Sequence, residues 1–201
     1  MPGVADVSDP TDPIPITQFG DAPGADTPQP EEFPLERYLT HPSNAHYVQP
    51  SPDGEFVYVG AETFPGNFVE NPDNDDYGGI RVFDTSDPDD PRQVTRIEPP
   101  EIDGFRTSHN FDGTNGRLHA SWYAGGVTIY DVTDPAAPAE RGHYAQAGSS
   151  FWTAVRARGL TIGSDIGGGL VFLHADRGKG GPPAFEGGET PDDPGMGAAD
   201  D

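Results

Sequence analysis

Short runs of alternating apolar and polar residues, each bounded by Gly, Asn, Asp or Pro, recur along the chain from residue 46 to residue 175. Period-two alternation over four to eight residues predicts half-buried β-strands, not amphipathic helices. One set of runs covers 46–50, 55–61, 79–84 and 93–97; a second covers 105–111, 117–123 and 126–132; a third covers 151–157, 160–164 and 169–174. Within the sets, Ser51-Pro52-Asp53-Gly54 and Asp112-Gly113-Thr114-Asn115-Gly116 have the composition of turns.

The runs belong to a repeat. Val4-Ala5-Asp6-Val7-Ser8-Asp9-Pro10-Thr11-Asp12-Pro13, Val82-Phe83-Asp84-Thr85-Ser86-Asp87-Pro88-Asp89-Asp90-Pro91 and Ile129-Tyr130-Asp131-Val132-Thr133-Asp134-Pro135-Ala136-Ala137-Pro138 share an apolar pair followed by D-x-[S/T]-D-P-x-x-P. The motif reads as a strand stopped by a rigid turn: the Asp and Ser/Thr side chains bond the turn backbone, and two prolines fix φ. Asp84, Asp87, Asp131 and Asp134 are therefore assigned to turns, not to catalysis. A third unit is degenerate, with His174 where Asp84 and Asp131 stand. The units follow one another after 47 and 43 residues, the length of a four-stranded propeller blade.

The expected fold is all-β, a β-propeller of four-stranded blades that is incomplete, with about three blades plus the second half of another. Residues 1–21 are assigned to the half blade, 22–45 to an inter-blade insertion, and 46–100, 105–146 and 151–177 to blades, the last degenerate. The Gly- and Pro-rich acidic stretch 178–201 is read as a disordered tail. Because the first motif lies so close to residue 1, the chain is expected to be partial, completed by a further segment or a second chain.

The strand ending in Asp6-Val7-Ser8-Asp9-Pro10 or Tyr130-Asp131-Val132-Thr133-Asp134-Pro135 resembles the repeat of the LVIVD family. That resemblance covers most of residues 1–176 and implies a propeller; it specifies a repeat type and no particular activity.

Charge changes the picture of partners. The chain has 34 acidic and 11 basic residues, a net charge of −23, and one lysine, Lys179. No basic footprint exists for nucleic acid. An acidic, lysine-poor surface fits adaptation to high salt, which screens the self-repulsion, and suggests a halophilic, archaeal source. The absence of cysteine excludes disulfides and thiolate chemistry. The N-terminal hexapeptide lacks the basic and apolar regions of a secretory signal, and no 18-residue apolar run predicts a membrane span.

Candidate chemistry centres on histidine. With the units aligned on Gly54, Gly116 and Gly159, His109 and Trp152 coincide and His46 falls one residue earlier. In a propeller these first-strand positions converge on the axis, so His46 and His109, with His119 from the next strand, form a candidate transition-metal site. Trp152, Glu62 and Asp165 are candidate channel-lining residues, and a Glu62/Asp165 pair would suit glycosidase chemistry only at the required separation. His41, His143 and His174 are read as peripheral. The acidic run 71–76 lacks the ligand spacing of a calcium loop and is read as a solvated loop. No catalytic Ser, phosphate-loop or H-E-x-x-H motif occurs, so neither catalytic nor cofactor-binding residues are assigned beyond these.

Two functions follow. The regular repeats favour a non-catalytic scaffold whose loops take a protein or carbohydrate partner, at a cell surface as the resemblance implies. The alternative is a metal-dependent, oxidase-like enzyme, because Ala45-His46-Tyr47-Val48, Thr107-Ser108-His109-Asn110 and Arg117-Leu118-His119-Ala120-Ser121-Trp122 resemble the histidine-bearing blades of selenium-binding-protein-like propellers.

Overall fold

The computed structural model describes residues 3–18, 45–62, 79–102, 107–114, 116–175 and 185–187. His41, the run 71–76, nearly all of the insertion 22–45 and most of the tail 178–201 lie outside the described residues. No helix occurs among the described residues, so none is long and apolar enough to cross a membrane.

The strands form a hairpin and three four-stranded antiparallel sheets, each with its strands in sequence order. The hairpin is β1 (Gly3–Asp6) and β2 (Ile14–Gln18). Sheet one holds β3 (Tyr47–Pro50), β4 (Phe56–Gly60), β5 (Ile80–Asp84) and β6 (Arg92–Ile97). Sheet two holds β7 (Phe111–Thr114), β8 (Arg117–Ser121), β9 (Val127–Asp131) and β10 (Ala139–Tyr144). Sheet three holds β11 (Phe151–Ala157), β12 (Leu160–Asp165), β13 (Gly169–Ala175) and β14 (Phe185–Gly187).

The repeated Asp motif makes one turn three times. Asp6, Asp84 and Asp131 accept a bond from the amide two residues on, at 2.8 Å from Ser8, 3.0 Å from Ser86 and 3.1 Å from Thr133. Asp9, Asp87 and Asp134 repeat this with Thr11, Asp89 and Ala136 at 3.0, 3.1 and 3.1 Å. Side-chain oxygens thus bind the turn amides that the strand ladder leaves over.

The sheets stack face to face in chain order, because alternation along each strand gives it one face for each neighbour. Val4 packs on Val59 and Phe83 of sheet one. The opposite face of sheet one, with Tyr58, Ile80 and Val82, meets Phe111, Leu118, Trp122 and Tyr130 of sheet two. Fully burying one such large apolar side chain contributes about 1.5–3 kcal/mol. Val127, on the far face of sheet two, packs with Phe151, Ala154 and Leu173 of sheet three. The described strands form an open series, not a closed ring.

Two local expectations differ from the structure. The first strand of sheet two is Phe111–Thr114, so that 112–114 extend it where a turn was expected, while 107–110, expected within it, lie outside. The cause is bonding to adjoining sheets: the Asn110 amide donates to the Trp152 carbonyl at 3.0 Å, and the Thr107 and Ser108 hydroxyls donate to the Ala61 carbonyl at 2.8 and 3.3 Å. Within the stretch read as a disordered tail, Phe185–Gly187 pairs with Leu173, His174 and Ala175 as the fourth strand of sheet three. The open edge of β13 offers a row of backbone donors and acceptors that composition does not reveal.

Candidate metal centre

The ends of strands from neighbouring sheets bring together His46, Glu62 and His109. His46 immediately precedes β3, and its amide donates to the Gly60 carbonyl at 2.9 Å, which fixes it beside the end of β4. Glu62 leaves that same end. The hydroxyls of Thr107 and Ser108 tie the segment carrying His109 to the carbonyl of Ala61, the residue before Glu62. Three side chains distant in sequence therefore share one place through backbone bonds at their own positions.

One ligand atom from each of His46, Glu62 and His109 lies within 4.8 Å of the others. His46 Nδ1 is 3.1 Å from Glu62 Oε2, and His109 Nε2 is 3.7 Å from Glu62 Oε1. The imidazole centroids are 4.5 Å apart. Glu62 and His109 are shielded from solvent, whereas His46 opens to it.

His109 and Glu62 each have a supporting partner. His109 Nδ1 lies 2.8 Å from the Trp152 carbonyl oxygen, which can only accept; Nδ1 therefore carries the proton, and Nε2 of the neutral ring presents a lone pair toward Glu62. Burial, and secondarily the nearby His46, hold the His109 pKa below the ordinary imidazole value, against the pull of Glu62. The ring thus favours its neutral, ligating form. The Trp152 indole lies parallel to the His109 ring, 4° apart in plane with centroids 5.4 Å apart, and is half exposed.

Tyr123 completes the arrangement and was not foreseen from the sequence. Its hydroxyl donates to Glu62 Oε1, and its ring meets His109 edge-on. Burial first, and the bond to Glu62 next, push the phenol pKa far up, so the proton stays on the oxygen as a donor. Its backbone φ is +50°, a conformation a non-glycine residue adopts at a cost. The available signal was positional: Tyr123 stands two residues beyond β8, as Glu62 stands two beyond β4.

His119, expected as a third histidine ligand, and Asp165, expected to line the channel, make bonds of their own. His119 is not in the group; it is buried between sheets two and three, with Nδ1 2.9 Å from the Thr161 hydroxyl. The alternation of β8 explains this, since a residue inside the strand points into a sheet interface while the site lies beyond the strand ends. Asp165 is the last residue of β12, and its Oδ1 accepts from the Ser150 amide at 3.0 Å and the Gly167 amide at 3.1 Å. Asp165 is not among the three side chains that lie within 4.8 Å of one another. His143 Nε2 bonds the Gly125 carbonyl at 2.6 Å, and His174 lies exposed on β13.

No protein-family model and no curated protein matches the chain. Two solved structures of AztD from Citrobacter koseri, one of them apo, are similar to it at 18% identity and a TM-score of 0.40. Each match covers 70% of this chain and 34% of the other, so the chain spans about a third of the length of those structures. The likeness is too slight to assign a fold or a function.

Proposed function

We propose that the chain is a set of propeller-type blades that binds a divalent transition-metal ion through His46, Glu62 and His109. The observation that carries this reading is the approach of two imidazoles and a carboxylate within 4.8 Å of one another, with His109 Nδ1 already committed to a carbonyl. Two nitrogen donors and one carboxylate suit zinc, iron, copper, nickel or manganese better than calcium. An ion with three protein ligands and an exposed side at His46 keeps positions for solvent or substrate, the pattern of working centres and not of closed structural ones.

In such a centre Glu62 supplies charge, Tyr123 orients Glu62, and Trp152 both fixes the His109 tautomer and flanks its ring. The ion would contribute Lewis-acid or redox chemistry, in keeping with the oxidase-like alternative that the histidine-bearing segments suggest. A second reading, a non-catalytic scaffold of LVIVD type, is favoured by the identical bonding of the three Asp-Pro turns, which builds a regular framework for loops.

The test is elemental analysis of untagged protein purified in high salt, before and after chelation and reloading with each candidate metal. Near one equivalent of a transition metal per chain is expected, lost in a His46→Ala/His109→Ala variant that keeps its circular dichroism. Metal-free wild type after reloading, or full retention by the double variant, would leave the scaffold reading in place.

A further inference from the structure

Strand register makes the sheets comparable position by position. Tyr58 opposes Val82 in sheet one, His119 opposes Ile129 in sheet two, and Ile162 opposes Phe172 in sheet three. Likewise Ile80, Val127 and Leu170 occupy one equivalent position, each opposite the second strand's Gly60, Ser121 or Ser164. In sheets one and two these residues form the face that packs on the next sheet. In the hairpin, Val4 holds the position of Val82 and packs on sheet one in the same way.

Exposure separates sheet three from the others. Val82 and Ile129 are 0% and 2% exposed, but Phe172 is 51% exposed; Ile80 and Val127 are both 0% exposed, but Leu170 is 63% exposed. Val155, in register with Ile162, extends this uncovered apolar row across three strands. Sheet three thus carries the same inter-sheet face as its neighbours, and among the described residues no further sheet packs on it. An apolar face of this kind marks an interaction site.

The complementary face is open on the same chain. Phe83, Tyr130 and Leu173 are equivalent in register and receive the preceding sheet or hairpin. The hairpin's counterpart is Ala5, which is exposed with its register partner Pro15, and Ile16 beside them is exposed too.

We propose that the Leu170/Phe172 face of sheet three docks on the Ala5 face of a second copy of this chain, continuing the face-to-face stacking of sheets from one molecule into the next. The contact is heterologous, so it leaves one open end of each kind on a dimer and can extend or close a ring. A net charge of −23 per chain opposes it at low salt. Molar KCl, where the Debye length is about 3 Å, removes that opposition.

Light scattering coupled to size exclusion in molar KCl tests this with the whole chain. Wild type is expected at twice the chain mass or more, and Phe172→Glu and Ala5→Glu are each expected as monomers. Mixing the two variants is expected to give a heterodimer and nothing larger, because one keeps the docking face and the other keeps the receiving face. Leu170→Glu serves as a second docking-face variant should Phe172→Glu lose its circular dichroism. Monomeric wild type in molar KCl would overturn the proposal. Continued association of Ala5→Glu would also overturn it, by showing that two sheet-three faces pack on each other instead. Metal content is unaffected in every arm, which keeps this result separate from that of the metal centre.

Discussion

The carbonyl oxygen of Trp152 accepts from both the Nδ1 of His109, at 2.8 Å, and the amide of Asn110, at 3.0 Å. One backbone group of sheet three thereby holds the histidine and the chain beside it. The site depends on sheet packing as much as on its own side chains, since the tautomer of a residue next to sheet two is set from the adjoining sheet.

Removing the hydroxyl of Tyr123 separates orientation from ligation. Tyr123→Phe keeps the ring against His109 but leaves Glu62 Oε1 without the phenol donor. Loss of a supporting partner of this kind typically costs 10–100-fold in metal affinity. Competition against a chromogenic chelator should show a fall of about that size with an unchanged thermal transition; an unchanged affinity would assign Tyr123 to packing alone.

Metal binding should weaken in acid with a particular profile. His109 must lose its Nε2 proton to ligate, and burial already holds its pKa below the ordinary imidazole value of about 6.5. Protons therefore compete at Nε2 only at lower pH than they would with a free imidazole. Titrations of zinc binding on lowering the pH should show the loss due to His109 set in only below the range in which a free imidazole takes up its proton. A Glu62→Gln variant loses the charged ligand of the group and should bind more weakly throughout.

The fold was legible in the sequence because its signals are local. The D-x-[S/T]-D-P-x-x-P turns contain both the donors and the acceptors that close them, so Asp84 and Asp131 read as turn residues before any contact is known. The convergence of His46 and His109 was also legible, since alignment of the repeats on Gly54 and Gly116 puts them within one residue of the same position. The positions of His119 and Asp165 were not. Each depends on which partner an adjoining segment offers, Thr161 in one case and the amides of Ser150 and Gly167 in the other. Tyr123 escaped because its role follows from the partner its hydroxyl meets, Glu62 of the adjoining sheet's strand end, and its offset from β8 becomes a signal only once the strand ends are known.

His119 makes stability depend on pH. Burial is the main cause that lowers its pKa to about 4, with Arg156 and Arg117 adding to the effect and Asp112 opposing it. Between pH 6.5 and about 4 the unfolded chain binds a proton that the folded chain refuses, so this contribution is present above pH 6.5 and lost as pH falls toward 4. The span is on the order of 3 kcal/mol. Denaturant melts of His119→Gln should lack that loss between pH 7 and pH 4.5, while the turn aspartates, whose pKa values are lowered by their bonds to Ser86 and Thr133, still cost stability in stronger acid.

Gly126 links the turn after β8 to the candidate site. Its amide donates to the Tyr123 carbonyl at 3.0 Å and its carbonyl accepts from the Trp122 amide at 2.8 Å, so the turn that carries Tyr123 closes on it. Its φ is +81°, and an added Cβ would lie 2.1 Å from the Tyr144 carbonyl oxygen and 2.9 Å from Ala145 Cβ. A backbone carbonyl in a strand cannot swing aside as a flexible side chain does, so Gly126→Ala combines the left-handed penalty with a displacement of β10. The expected cost is roughly 2 kcal/mol or more, a fall in Tm of about 5 °C or more. The same displacement pulls Tyr123 from Glu62, so Gly126→Ala should also weaken metal binding below its melting transition. Gly148→Ala is the control, with a similar φ of +82° and no atom within 4 Å of the added carbon. It should lower Tm by the smaller amount that backbone conformation alone accounts for, and leave metal affinity unchanged.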